Sequence, residues 1–216
     1  MTIRILLADD HQIMREGLVA LLERESGFKV VGQAADGRTA VRQARELKPD
    51  VVVMDVSMPD LNGIDATRQI LEENRQIKVI ALSMHADRRF VKGMLQAGAA
   101  AYLLKHSASQ ELIKAIHVVM TNRVYLSPEI AGVVVEDYKA PAADTSAFAV
   151  LTPREREVLQ LFAEGKSPRE IAGALHLGLK TVEAYRRQIM EKLGFNSFAE
   201  LVKYAVREGL TTLDPS

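Results

Sequence analysis

The chain has 216 residues, of which 48% are hydrophobic and 26% charged, ordinary proportions for globular protein with one or two cores of modest size. It has no cysteine, which excludes disulfides, thiol catalysis and cysteine-bound zinc, and its formal net charge is zero, so no global basic excess announces nucleic acid. Its longest apolar stretches, such as Ala97 to Leu104 and Ile130 to Val135, fall well below the roughly 20 residues of a spanning helix, and no signal segment is expected.

In chain order, Ile3 to Ala8 is a short apolar run ending at Asp9 and Asp10. Arg15 to Glu25 has Leu18, Leu21 and Leu22 on one helical face. Phe28 to Ala34 reads as a strand, and Arg38 to Leu47 as a helix stopped by Pro49. Val51 to Met54 is a buried-type strand ending at Asp55. Ile64 to Asn74 is helical, Val79 to Leu82 is a strand ending at Ser83, and Arg89 to Gln96 is a helix closed by Gly98. Ala101 to Leu104 is a strand ending at Lys105, and a helix follows from about Ser109 to Met120, with Ser107 as N-cap and Gln110 as its capping-box partner. Five apolar strands alternating with five helices predict a doubly wound parallel sheet covered on both faces.

Ser127-Pro128-Glu129 has the form of a helix start, giving a short helix to about Asp137. Lys139 to Ala149, rich in Ala, Pro, Ser and Thr, reads as a linker. From Leu151 the pattern is helical, with capping boxes at Thr152-Pro153-Arg154-Glu155, Ser167-Pro168-Arg169-Glu170 and Ser197-Phe198-Ala199-Glu200. Four helices are predicted, at about 153–164, 168–175, 179–193 and 198–208. The chain thus divides into an α/β domain over 1–122, a linker with a short helix over 123–147, and an all-α domain over 148–216.

In parallel sheets, ligands bind outside the carboxyl ends of the strands. Here those ends carry Asp9, Asp10, Asp55, Ser83 and Lys105. Converging carboxylates repel one another, and a hard divalent cation such as Mg²⁺ relieves that cost while bridging to a phosphoryl oxygen. A carboxylate beside such a cation can attack phosphorus and form an acyl phosphate, with Lys105 and Ser83 stabilising the equatorial oxygens. A phosphatase of the haloacid-dehalogenase type would want Asp two residues after its nucleophile, but Ser57 stands there. A dinucleotide site would want a glycine-rich loop after the first strand, where this chain has Asp-Asp-His.

Residues 1 to about 125 resemble a response-regulator receiver domain, a flavodoxin-like fold. The likeness rests on Leu7-Ala8-Asp9-Asp10-His11, Val53-Met54-Asp55-Val56-Ser57-Met58-Pro59, Asn62-Gly63, Ala81-Leu82-Ser83 and Ala101-Tyr102-Leu103-Leu104-Lys105. It implies that Asp55 is the phosphoacceptor. Asp9, Asp10, Asp55 and the backbone carbonyl of Ser57 would hold Mg²⁺, and Ser83 and Lys105 would contact the phosphoryl group. Tyr102 would change rotamer when Ser83 moves. His11 is expected to be structural rather than catalytic. The family more often has Asp where His106 stands, and His106 is expected to be a solvated loop residue; His85 lies close to Ser83 in sequence, with its role left open.

In the all-α domain, Ser167 to Leu193 fits a helix-turn-helix: Ile171, Ala172 and Leu175 inward, a turn at Leu177-Gly178-Leu179, then Val182, Ile189 and Leu193 inward with Tyr185 or Arg186 at the border. Lys180, Glu183, Ala184, Arg187 and Glu191 are left outward. From Leu179 to Lys192 four basic residues stand against two acidic ones, so monomer affinity for phosphates is expected to be weak. Leu151 to Leu159, Ile171-Ala172, Lys180-Thr181-Val182-Glu183 and Lys192-Leu193-Gly194 resemble the LuxR-type helix-turn-helix, departing at Gly178, where Ser is frequent. The likeness makes Glu183, Ala184 and Arg187 base-edge candidates and Lys180, Thr181 and Arg186 phosphate contacts. It also offers part of the last helix, along Leu201, Val202, Ala205 and Val206, as a dimer interface.

The whole chain resembles the NarL/FixJ class of response regulators. The resemblance implies a cytoplasmic DNA-binding regulator phosphorylated by a sensor histidine kinase, with Mg²⁺-dependent self-phosphorylation and slow self-dephosphorylation as its only catalysis. A homodimer would form when phosphorylated or bound to DNA. The alternative is a phosphorylation-independent DNA-binding regulator whose receiver serves dimerisation or partner binding.

Overall fold

The computed structural model describes residues 2–139 and 146–211, which form two compact units divided between those segments. The first begins with β1 (Ile3–Ala8), α1 (Gln12–Leu22), β2 (Phe28–Ala34) and α2 (Gly37–Leu47). It continues with β3 (Val51–Asp55), α3 (Gly63–Glu73), β4 (Lys78–Ser83), α4 (Arg88–Ala97), β5 (Ala101–Leu104) and α5 (Ala108–Met120). The predicted strands and helices all form, with ends moved by at most a few residues, as expected where caps rather than periodicity set the boundary.

The sheet is wholly parallel, with strand order β2-β1-β3-β4-β5 continued by a sixth strand, β6 (Tyr125–Leu126). One face packs Ile5, Leu7, Val53, Ile80 and Leu103 against Leu18 and Leu22 of α1 and Leu112, Ile116 and Val119 of α5. α2, α3 and α4 pack in sequence on one another and complete the doubly wound sandwich. The chain order reverses between β1 and β3, placing the crevice of a doubly wound sheet at the ends of those two strands.

The five-stranded expectation is corrected by β6. Its two residues carry no readable alternation, yet they pair with the free edge of β5, Ala101 opposite Tyr125 and Tyr102 opposite Leu126. α6 (Pro128–Lys139) follows and packs against α4. The capping box expected at Ser107 does not form. A 3-10 turn over Lys105–Ser107 gives Ser107 helical dihedrals, and its hydroxyl donates back to the Leu104 carbonyl at 3.1 Å.

The second unit holds α7 (Ala147–Val150), α8 (Pro153–Ala163), α9 (Pro168–Leu175), α10 (Leu179–Leu193) and α11 (Phe198–Arg207). All three capping boxes are present. α7 corrects two expectations, since the four-helix domain gains a fifth helix and part of the assumed linker is ordered. Ala147 is fully buried in this core and its N–H donates to Glu208 Oε2 at 3.1 Å. Residues 140–145 of the expected linker and 212–216 of the expected C-terminal domain lie outside the described residues.

Candidate functional site

Strand ends assemble the acidic pocket. β1 delivers Asp9, which is 1% exposed, and β3 delivers Asp55, which is 3% exposed. Gly63 sets the floor: a Cβ there would lie 1.9 Å from the Asp55 carbonyl oxygen, so only glycine lets α3 start this close. Its N–H donates to the Val56 carbonyl at 2.9 Å and pins the loop after β3. Asn62 caps α3 by accepting from the Asp65 N–H.

Lys105, from the end of β5, reaches both acids, with Nζ at 2.7 Å from Asp55 Oδ2 and 2.8 Å from Asp9 Oδ2. The other Asp55 oxygen accepts from the Ser57 N–H at 3.1 Å. Asp10 is half-buried at the rim, and His11 Nδ1 lies 2.7 Å from its Oδ1 and 3.2 Å from Asp9 Oδ1. One donor atom each from Asp9, Asp10, His11 and Asp55 falls within a 4.8 Å spread. The one lysine does not balance three carboxylates. The cluster therefore carries excess negative charge over a mainly oxygen donor set, which suits a hard divalent cation. His11, expected to be structural, is part of this cluster; its place directly after Asp9-Asp10 was the available signal.

Burial pushes the Asp55 carboxyl up to about 7, against the pull of Lys105 and with the help of Asp9. Burial works against the Lys105 ammonium, but Asp55 and Asp9 outweigh it and hold its pKa above the usual lysine value.

Ser83 ends β4, beside β3 in the sheet, and is 1% exposed. Its Oγ accepts from the His85 N–H at 3.0 Å, and Tyr102, wholly buried, donates its hydroxyl to the His85 carbonyl at 2.9 Å. Burial raises the Tyr102 phenol well above its ordinary value, so it is a neutral donor. The backbone of His85, an exposed loop residue, thus joins Ser83 to Tyr102, while its ring stacks on Phe90 at 5.8 Å. His106 is exposed, 3.8 Å from Glu129.

In the second unit, Ile171, Leu175, Val182 and Ile189 are buried as predicted, and His176 makes the left-handed turn after α9. Lys180, Thr181, Glu183, Arg186 and Arg187 are exposed on α10, and Ala184 is half-buried. Arg186 also lies over the Phe198 ring at 5.1 Å. Lys192, itself exposed, reaches the buried Glu155, with Nζ at 2.8 Å from Glu155 Oε2, the same oxygen that accepts from Thr152 N at 2.8 Å. One of the four basic residues counted on this helix is therefore committed to the fold. Burial works against the Glu155 carboxylate, but the Lys192 and Thr152 bonds outweigh it and hold its pKa below the usual value.

A parallel α/β unit with three acids, a lysine and a serine at its strand ends, followed by a helix-turn-helix, defines a receiver joined to a DNA-reading domain. Residues 5–117 match the response regulator receiver domain, and residues 149–205 match the bacterial regulatory proteins of the luxR family. The response regulator GacA of Pseudomonas viridiflava is 39% identical over 208 residues, covering 96% of this chain and 97% of the relative. UvrY of Escherichia coli K12 is 38% identical over 96% of this chain and 95% of its own. The solved RcsB–DNA complex superposes with a TM-score of 0.60 at 26% identity, covering 94% of this chain and 98% of that one. A LuxR-family two-component response regulator from Aurantimonas sp. SI85-9A1 gives 0.62 at 40% identity over 65% of this chain and 100% of its own. The chain belongs to the LuxR-type response regulators, two-component proteins that control transcription.

Proposed function

We propose that Asp55 is the phosphoacceptor and that its phosphorylation by a sensor histidine kinase controls binding of double-stranded DNA by α10. The observation that carries the reading is the convergence of Asp9 and Asp55 on Lys105 in a buried pocket at the topological switch point. Asp9, Asp10, Asp55 and the Ser57 carbonyl would hold Mg²⁺, with His11 beside them. The cation, when bound, screens the acids and neutralises charge on the transferred group.

The residues divide the rest of the work. Asp55 attacks phosphorus through an ionised oxygen, and the leaving group departs from the opposite side. Lys105 lies 2.7 Å from Asp55 Oδ2 and is placed to move from carboxylate to phosphoryl oxygen as charge shifts there. Ser83 exchanges its bond from the His85 N–H for one to the phosphoryl group, and Tyr102 follows. With these parts in place, the receiver catalyses its own phosphorylation and slow dephosphorylation.

On α10, Glu183, Ala184 and Arg187 face base edges while Lys180, Thr181 and Arg186 hold phosphates. Because few cations are free on this helix, two chains on paired half-sites would supply the affinity one lacks. A homodimer on DNA in the cytoplasm follows from that reading.

Incubation with acetyl phosphate and Mg²⁺ tests it. Intact-mass spectrometry should show one added phosphoryl group, labile to hydroxylamine as an acyl phosphate, and none on Asp55→Asn. Labelling that survives in Asp55→Asn would overturn the assignment.

A further inference from the structure

The edge of β5 and the surface of α4, which flank Tyr102, are covered by this chain's own β6 and α6. We infer that the β6–α6 segment, Tyr125–Lys139, is a strap that reads the state of the pocket in cis: docked on β5 and α4 in the unphosphorylated chain, loosened when Asp55 is phosphorylated. The inference rests on the proposed role of Asp55 and names the element that responds to it.

Besides Tyr125 Oη donating to Glu111 Oε2 of α5 at 2.9 Å and His106 lying 3.8 Å from Glu129, two tethers hold the strap that lead back to Ser83. The first runs through β5. Ser127 N–H donates to the Tyr102 carbonyl at 3.2 Å, and Leu126 pairs opposite Tyr102 in the sheet. The Tyr102 hydroxyl in turn holds the His85 carbonyl, and the His85 N–H holds Ser83 Oγ. The second runs through α4. Asp87 caps that helix, and Arg88 in its first turn forms an ion pair with Asp137 near the end of α6. When Ser83 turns toward a phosphoryl group it gives up the His85 N–H. The Met84–Asp87 loop is then free to shift, and it connects to both tethers.

The docking is shallow enough to be reversible. Ile130 is the one wholly buried residue of α6, whereas Val135 is 49% and Tyr138 86% exposed. An open cleft of about 260 Å³ runs between the two helices, lined by Arg88, Val91, Leu95, Val133, Val134 and Asp137. Apolar side chains left in solvent contribute little to docking, and elements that switch are drawn from the less stable parts of a fold. α6 is also the last described element before the second unit in sequence.

Hydrogen exchange on the full chain, with and without beryllofluoride and Mg²⁺, tests this. Beryllofluoride should speed exchange in residues 83–87, where the His85 N–H loses its Ser83 acceptor, and speed exchange in 128–139 several-fold, with β1 and β3 unchanged. Asp137→Arg, which sets like charges against Arg88, should speed exchange in 128–139 without beryllofluoride. Adding Arg88→Asp should restore the slow rate. A response in 83–87 with none in 128–139 overturns the strap and leaves the phosphoacceptor standing. No response in either segment overturns the phosphoacceptor reading and the strap with it. Failure of the charge exchange to restore protection overturns the α4 tether.

Discussion

Asp55 occupies a position in which burial and charge oppose each other. Its carboxyl is raised from 3.8 to about 7 by burial, though Lys105 lies 2.7 Å away. A folded-state pKa above the unfolded value means that the group favours folding fully below about pH 4 and that this contribution is lost as pH rises toward about 7. In metal-free solution, wild type should therefore lose stability relative to Asp55→Asn between about pH 4 and pH 7. Chemical unfolding at several pH values measures the gap, and a constant gap would contradict the assignment. Gly63 is the other sensitive residue. A methyl 1.9 Å from the Asp55 carbonyl oxygen must push that loop away. Gly63→Ala should cost about 1–3 kcal/mol in thermal or chemical unfolding and slow labelling of Asp55. Normal stability with normal labelling would show that the close approach is not required.

The pocket acids were legible in the sequence because each follows an apolar run, and such runs mark strand ends. The role of His85 was not legible, because its backbone forms the links and any residue type but proline supplies a backbone N–H and carbonyl. Nor was the Lys192–Glu155 ion pair, since helical periodicity alone does not name the partner that a long side chain at the border of a face reaches.

Among the elements, the capped helices were the most readable. Thr152, Ser167 and Ser197 each combine with a Glu three residues on, and all three boxes form. Ser107 has the same surface form with Gln110 but is drawn into a 3-10 turn by the chain leaving β5. β6 and α7 were missed for a shared reason: each is too short for a period, and each is fixed by tertiary partners rather than by propensity. Glu155 joins two elements, as it both caps α8 and holds Lys192 of α10. Glu155→Gln should cost about 1–3 kcal/mol. Because the Glu155 pKa is depressed, its contribution is present above the ordinary carboxylate range and is lost as pH falls through it. The wild-type and Glu155→Gln stabilities should converge in acid, and a difference that persists there would contradict the sign. On α10 the proposed contacts separate by type. Arg187→Ala should lose about 1–3 kcal/mol of discrimination at one base position, whereas Lys180→Ala should weaken all sequences alike and lower the salt slope by about one. Anisotropy titrations on matched and mutated sites distinguish the two, and a uniform loss for Arg187→Ala would move it to the phosphate class.

At the scale of the whole molecule, a zero net charge does not exclude DNA binding, because Lys180, Arg186 and Arg187 are exposed together on α10 while Asp9, Asp10 and Asp55 cluster in the pocket of the other unit. The two-unit division was legible from the change of periodicity near Leu151, whereas the packing of α6 on α4 was not, since the apolar run Val133 to Val135 does not name its partner. The central claim is that the state of Asp55 sets affinity for DNA. The most direct measurement is the affinity of the full chain for a site selected from random DNA, at one fixed salt concentration, with and without beryllofluoride and Mg²⁺. Wild type should bind at least about tenfold more tightly with beryllofluoride, a shift of about 1.4 kcal/mol, and Asp55→Asn should show no change. Equal affinity of the wild type under both conditions, with Asp55 demonstrably modified, would contradict the account and favour a regulator that works without phosphorylation.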